Sequence, residues 1–153
     1  MHQAPEPYPI SADSPCDLGW ALTTTLGRYQ AYVEPILAGF PRGSRGYQLL
    51  YTVVHYRLES QNDLAAYLGI DRTVLTYVIE DLKKAGLVER QVLAQDRRVR
   101  IIRPTSLGKE KISQIQTELA KAEEIFFAGI STEDAASFRY LLSNIAVAFR
   151  QEN

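Results

Sequence analysis

Cysteine, histidine and long apolar runs are scarce in this chain of 153 residues, which holds one cysteine and two histidines. Cys16 alone cannot form an internal disulfide, and with only His2 and His55 beside it no dedicated zinc site is expected. No uninterrupted apolar stretch reaches membrane-spanning length, and the first residues lack a basic segment followed by an apolar one, so no membrane partner and a cytoplasmic location are expected. Signatures of catalysis are missing as well. Gly43-Ser44-Arg45-Gly46 is neither a nucleophile elbow nor a phosphate loop, and Gly108-Lys109 has no upstream glycine to complete a P-loop. The sequence therefore predicts no enzyme, no metal and no cofactor. The net charge of −1 also argues against a general binder of polyanions.

The chain is 46% hydrophobic, enough to bury a core within one domain of this length. Its charge is unevenly spread. Between Asp71 and Lys111 ten Lys or Arg face six acids, a local balance of +4 that leaves −5 for the remainder. That basic footprint coincides with the most structured pattern in the chain. Ser60 and Asp63 form a capping box before Leu64, Ala65 and Leu68, which share one helical face. Gly69 supplies a turn, and Asp71 caps a second helix. In that helix Val74, Leu75, Val78, Ile79 and Leu82 face inward, leaving Arg72, Thr73, Thr76, Tyr77 and Glu80 outward. A helix-turn-helix reads the major groove with side chains near the start of its second helix, the place that Arg72, Thr73, Thr76 and Tyr77 occupy. Gly86 ends the helix. Leu87 to Val92 and Val99 to Arg103 then read as two strands joined by a tip carrying Asp96, Arg97 and Arg98, with Pro104 limiting the second. Arginine at such a tip suits a narrow minor groove.

Gln61, Leu64-Ala65, Leu68, Asp71, Thr73, Thr76, Leu82, Gly86-Leu87-Val88, Arg90, Asp96-Arg97-Arg98, Thr105 and Gly108, in this order and spacing, resemble the MarR family of bacterial winged helix-turn-helix regulators. The resemblance implies a mostly α (α+β) fold: a winged helix-turn-helix DNA-binding domain, with N- and C-terminal helices forming a dimerisation domain. It makes the helix from Asp71 a recognition helix, Arg98 the minor-groove arginine with Asp96 its orienting partner, and Arg90 a support at the base of the wing. Glu80 and Asp81 depart from the family pattern, which often has a basic residue there, and suggest that the late part of this helix avoids phosphate.

The flanks fit the same plan. Pro5, Pro7, Pro9 and Pro15 suit an extended arm over 1–15, followed by a helix from Asp17 to about Leu37 within a dimerisation segment at 16–40. Phe40 to Gly46 reads as a loop, and a helix from about Gly46 to Arg57 opens the winged domain, 41–106. Leu107 to about Ala128 reads as a long helix with Ile112, Ile115, Leu119, Ala122 and Phe126 on one stripe. After a capping box at Ser131 and Asp134, a last helix carries Phe138, Leu141, Leu142, Ile145, Ala148 and Phe149, more apolar surface than a lone terminal helix leaves in water. The family arrangement implies that the N- and C-terminal helices, within 16–40 and 107–153, interlock with those of a second copy. The expected partners are a homodimer mate, double-stranded DNA with a pseudo-palindromic operator, and a small-molecule effector.

By the same resemblance Trp20, Tyr29, Tyr32, Tyr47, Tyr51 and His55 are candidates to line a pocket for a phenolic or other lipophilic effector, with core or interface packing as the plainer alternative. Cys16 raises the alternative of a redox switch, since some family members sense hydroperoxides with a lone cysteine near that position. Asp17 opposes it by raising the thiol pKa. The expected function is a dimeric repressor released by its effector. A winged-helix protein-interaction module without DNA binding is the alternative from another class.

Overall fold

The computed structural model describes residues 17–58, 60–94, 96 and 98–148. The expected arm, Cys16, Arg97 and Phe149 lie outside the described residues. Six helices and one antiparallel pair of strands follow in the order α1 (Leu18–Leu37), α2 (Gly43–His55), α3 (Gln61–Leu68), α4 (Arg72–Lys84), β1 (Val88–Val92), β2 (Arg100–Pro104), α5 (Ser106–Phe126) and α6 (Thr132–Ala148). This is a winged helix-turn-helix flanked by long helices. Among the described residues no helix is long and apolar enough to cross a membrane.

Short polar side chains start most of these helices by accepting from amides that have no partner within the first turn. Asp17 accepts from Trp20 N at 2.8 Å, Asp71 from Thr73 N at 2.7 Å and Thr105 from Gly108 N at 3.0 Å. At the two capping boxes the serine hydroxyl accepts from an amide and donates to the carboxylate of the same residue, Asp63 for Ser60 and Asp134 for Ser131. Helix α2 differs. It begins at Gly43, earlier than its composition predicts, because Gly43 N already donates to Phe40 O at 2.8 Å and Gly46 N to Arg42 O at 3.4 Å. It also ends earlier, at His55, where Tyr56 turns to extended backbone.

The core lies where α2, α4 and α5 converge. Leu49 and Leu50 of α2, Leu64 of α3, Leu75, Ile79 and Leu82 of α4 and Ile112 of α5 are fully buried. Val74 is half-buried at the edge of the α4 face. Along α5 the stripe Ile112, Ile115, Leu119 and Ala122 is buried and Phe126 half-buried, which matches its 3–4 residue spacing.

The strands pair from Val88 opposite Pro104 to Val92 opposite Arg100, so the proline takes the terminal position of the ladder. Beyond it the chain folds back at once. Thr105 N donates to Leu87 O at 3.1 Å, and Thr105 Oγ1 donates to Gly86 O at 2.6 Å. This contact brings the first turn of α5 so close that a Cβ on Gly108 would lie 2.1 Å from Leu87 O. Glycine is needed there for space.

Helix α6 has no buried residue. Phe138 packs edge-on against Phe127, and Arg139 pairs with Glu123 at 2.7 Å and lies 4.8 Å over the Phe127 ring. Leu141, Leu142 and Ile145 remain exposed, as do Leu18, Trp20, Leu22 and Leu26 on α1.

Candidate nucleic-acid interface

The turn between α3 and α4 sets the outward face of α4. Gly69 takes the left-handed conformation (φ 62°), and Ile70 N reaches back to Ala65 O at 3.1 Å, closing α3 while Asp71 opens α4. With Leu75, Val78, Ile79 and Leu82 packed inward, Arg72, Thr73, Thr76 and Tyr77 project together on the exposed side. Tyr77 is 60% exposed, unusual for a ring of that size with nothing to cover it. Thr76 Oγ1 donates to Arg72 O at 2.9 Å, so its oxygen lone pairs face outward as acceptors suited to a base amino group. Hydrogen bonds from the Thr73 amide and then the Thr73 hydroxyl hold the Asp71 carboxyl below the usual carboxylate range. A carboxylate that favours its charged form therefore occupies the positive end of α4.

The wing is tied to this helix from its base. Arg90 on β1 pairs with Glu80 on α4 through a close guanidinium–carboxylate contact. At the tip Asp96 accepts from Arg98 N at 2.9 Å, and Val99 N donates to Asp96 O at 3.0 Å. The Asp96 carboxylate thus holds the backbone at Arg98, next to the tip. Arg98 is exposed.

Glu80 and Asp81, read in the sequence as acids that repel phosphate, both have cationic partners. Arg42 Nε meets Asp81 Oδ2 at 2.6 Å, and Lys84 Nζ lies 3.6 Å from Asp81 Oδ1. The hydrogen bond from Arg42 holds the Asp81 carboxyl below the usual range. Neither long-range pair is legible in the sequence, since Arg42 stands 39 positions from Asp81 and Arg90 ten from Glu80.

The aromatic candidates do not form one cluster. Tyr47 and Tyr51 line a cavity of about 320 Å³ between α2 and α3 with Gln48, Thr52, Tyr67 and Leu68. His55 lies tilted against Tyr51 at 4.3 Å between ring centroids but is exposed at the end of α2 and outside that lining. Tyr29 is directed elsewhere: its hydroxyl donates to Glu123 at 3.0 Å and its ring meets Phe126 edge-on at 5.6 Å. Tyr32 also packs against Phe126. Trp20 is 62% exposed on the first turn of α1, apart from the cavity. Helical periodicity alone could not tell which aromatic rows converge. Tyr67, which the sequence did not suggest, joins the lining from α3 and lies tilted against Tyr56 at 5.2 Å between ring centroids. Burial, reinforced by the Glu123 charge, pushes the Tyr29 phenol up to about 12. Burial, followed by Tyr51 and Glu123, pushes Tyr47 up to about 12. Both phenols are therefore neutral donors at ordinary pH, and no charged side chain is among the six that line the cavity.

Residues 47–99 match the model of the MarR family, a span running from α2 through the wing tip. The fold is similar to that of CouR from Rhodococcus jostii RHA1, solved with p-coumaroyl-CoA, at 25% identity and a TM-score of 0.72 over 85% of this chain and 92% of that one. It is also similar to a MarR-family transcriptional regulator from Rhodococcus sp. RHA1, at 24% identity and a TM-score of 0.75 over 85% and 94%. BpsR of Bordetella bronchiseptica, whose DNA binding is regulated by 6-hydroxynicotinic acid, shares 19% identity and a TM-score of 0.73 over 91% and 98%. Over residues 47–99 the helix-turn-helix and wing thus match the MarR family, and the fold as a whole is similar to that of solved MarR-family transcriptional regulators.

Proposed function

We propose that this protein is a homodimeric, sequence-specific repressor that binds double-stranded DNA through α4 and the wing and is released by a small aromatic effector. The observation that carries it is the exposed row Arg72, Thr73, Thr76 and Tyr77, held beside the wing by the Arg90–Glu80 pair. In this reading the row contacts base edges in the major groove, and Arg98, with Arg97 beside it, enters the minor groove. Arg90 acts by fixing the wing, since its charge is already engaged.

The apolar faces of α1 and α6, exposed in the single chain, support pairing with a second copy, with the chain divided as 1–15 arm, 16–40 and 107–153 dimerisation segments and 41–106 winged domain. Two-fold symmetry would set the recognition helices roughly 34 Å apart and require a pseudo-palindromic operator. The cavity between α2 and α3 supports an effector that is planar and uncharged, because Tyr47, Tyr51 and Tyr67 offer ring faces and hydroxyls while its six described lining residues include no cation to attract a carboxylate. Its occupation would press on α3, which packs directly against α4. Release requires the effector to favour the geometry that does not fit DNA.

A titration of the purified protein against DNA flanking its own gene, with random duplex as competitor, tests the proposal. Competitor-resistant binding at two subunits per site is expected. Binding that is equal on both DNAs, or none, moves the assignment to a winged-helix interaction module or a distant operator. On a retained duplex, Thr76→Ala and Tyr77→Ala should lower discrimination by about 1–3 kcal/mol per lost base contact.

A further inference from the structure

Arg42 is the one non-glycine residue with positive φ among the described residues (φ 63°, ψ 18°). An L side chain in the left-handed region is strained, and such strain persists only where the surroundings over-determine it. The surroundings here are specific. Arg42 lies between α1 and α2, after the buried Phe40, whose carbonyl takes the Gly43 amide. The first turn of α2 is pressed so tightly onto Pro41 that a Cβ at Gly46 would fall 1.8 Å from Pro41 O. From this corner the Arg42 side chain reaches across to Asp81 in the penultimate turn of α4. Both side chains are partly exposed, 49% and 32%, so the pair contributes little to overall stability. A strained backbone held beside a weakly stabilising pair points away from a role in stability.

We propose that Arg42 is a positioning residue that clamps the recognition helix to the α1–α2 corner. The clamp opposes the Arg90–Glu80 tie, so that α4 is held from the wing at Glu80 and from the α1 side at Asp81. A change in the angle between α1 and α2 then reaches the DNA-reading face through this ion pair, in addition to the core packing of α2 on α4. Lys84 shares the Asp81 carboxylate but belongs to α4 itself, so it cannot replace the link to the corner.

This inference rests on α4 being the DNA reader, and its test separates the two. Arg42→Gly removes the cation but accepts the left-handed backbone, Asp81→Asn removes the anion, and Arg42→Lys keeps a cation. On duplex from the flank of its own gene, Arg42→Gly and Asp81→Asn should each weaken binding about five-fold or more. The double variant should be no weaker than either single one, and Arg42→Lys should recover part of the loss. The thermal midpoint of Arg42→Gly should hold or rise, because strain is relieved as the pair is lost. Losses that track a falling midpoint, additive losses, or binding within two-fold of the parent overturn the clamp. Failure of the parent chain to retain either DNA would strike the DNA reading itself. The clamp is then judged by unfolding of the same variants, where a non-additive cycle supports it and an additive one overturns it.

Discussion

Substituting Gly108 by alanine should cost this fold more than the loss of a single core methyl group. The new Cβ would sit 2.1 Å from Leu87 O, 3.0 Å from Leu87 C and 3.2 Å from Leu50 Cδ1. Two of these atoms are backbone, so no side-chain rotation relieves the clash, and the first turn of α5 must retreat by about 1 Å or more. Overpacking of this kind costs about 1–3 kcal/mol. The retreat also stretches the Thr105 bonds to Leu87 O and Gly86 O, each contributing about 1 kcal/mol net. Against this, alanine is the better helix former by about 1 kcal/mol. The balance is a loss of about 2–4 kcal/mol, read as a fall in the urea midpoint of about 1–2 M with unchanged slope. Gly129→Ala is the control. No atom lies within 4 Å of its added Cβ and its backbone is not left-handed, so it should be neutral or slightly stabilising. Both variants should be compared at one protein concentration, because dimerisation would shift the midpoint by mass action. A loss below about 1 kcal/mol for Gly108→Ala, or equal midpoints for the two variants, would refute the close-approach reasoning.

Arg90→Ala should lower stability by only about 0.5–1 kcal/mol in a thermal scan, since the pair with Glu80 is partly exposed, yet weaken DNA binding by a larger factor as the wing is freed. Equal effects on the two measurements would make Arg90 merely a stabilising residue. The raised phenols of Tyr29 and Tyr47 mean that folding favours their neutral forms, so their contribution is complete below about pH 10 and lost as pH rises towards 12. Tyr29→Phe should flatten the decline of the denaturation midpoint over that range, and an unaltered decline would remove Tyr29 from its cause. Leu141→Asp should yield a monomer by light scattering with the helical circular dichroism signal retained, because Leu141 is 58% exposed within its own chain. A persistent dimer would exclude that face of α6 from the interface.

Much of this protein was determined by local sequence. Asp17, Ser60, Asp71 and Ser131 each mark a helix start where the structure has one, because a cap acts within three residues. The inward face of α4 followed from 3.6-residue periodicity, and the opposite row of Arg72, Thr73, Thr76 and Tyr77 followed with it. The start of α2 was hidden because Pro41, Gly43, Ser44 and Gly46 read as loop by composition, while the hydrogen bonds of Gly43 and Gly46 depend on the corner made with Phe40. Only the tertiary structure decided which groups distant in sequence meet. It paired Arg90 with Glu80 and Arg42 with Asp81, joined the Tyr29 hydroxyl to Glu123, and brought Tyr67 into the cavity. Periodicity fixes the direction of a side chain about its own helix axis, but contacts between helices depend on crossing angle and separation, which the packed core sets collectively.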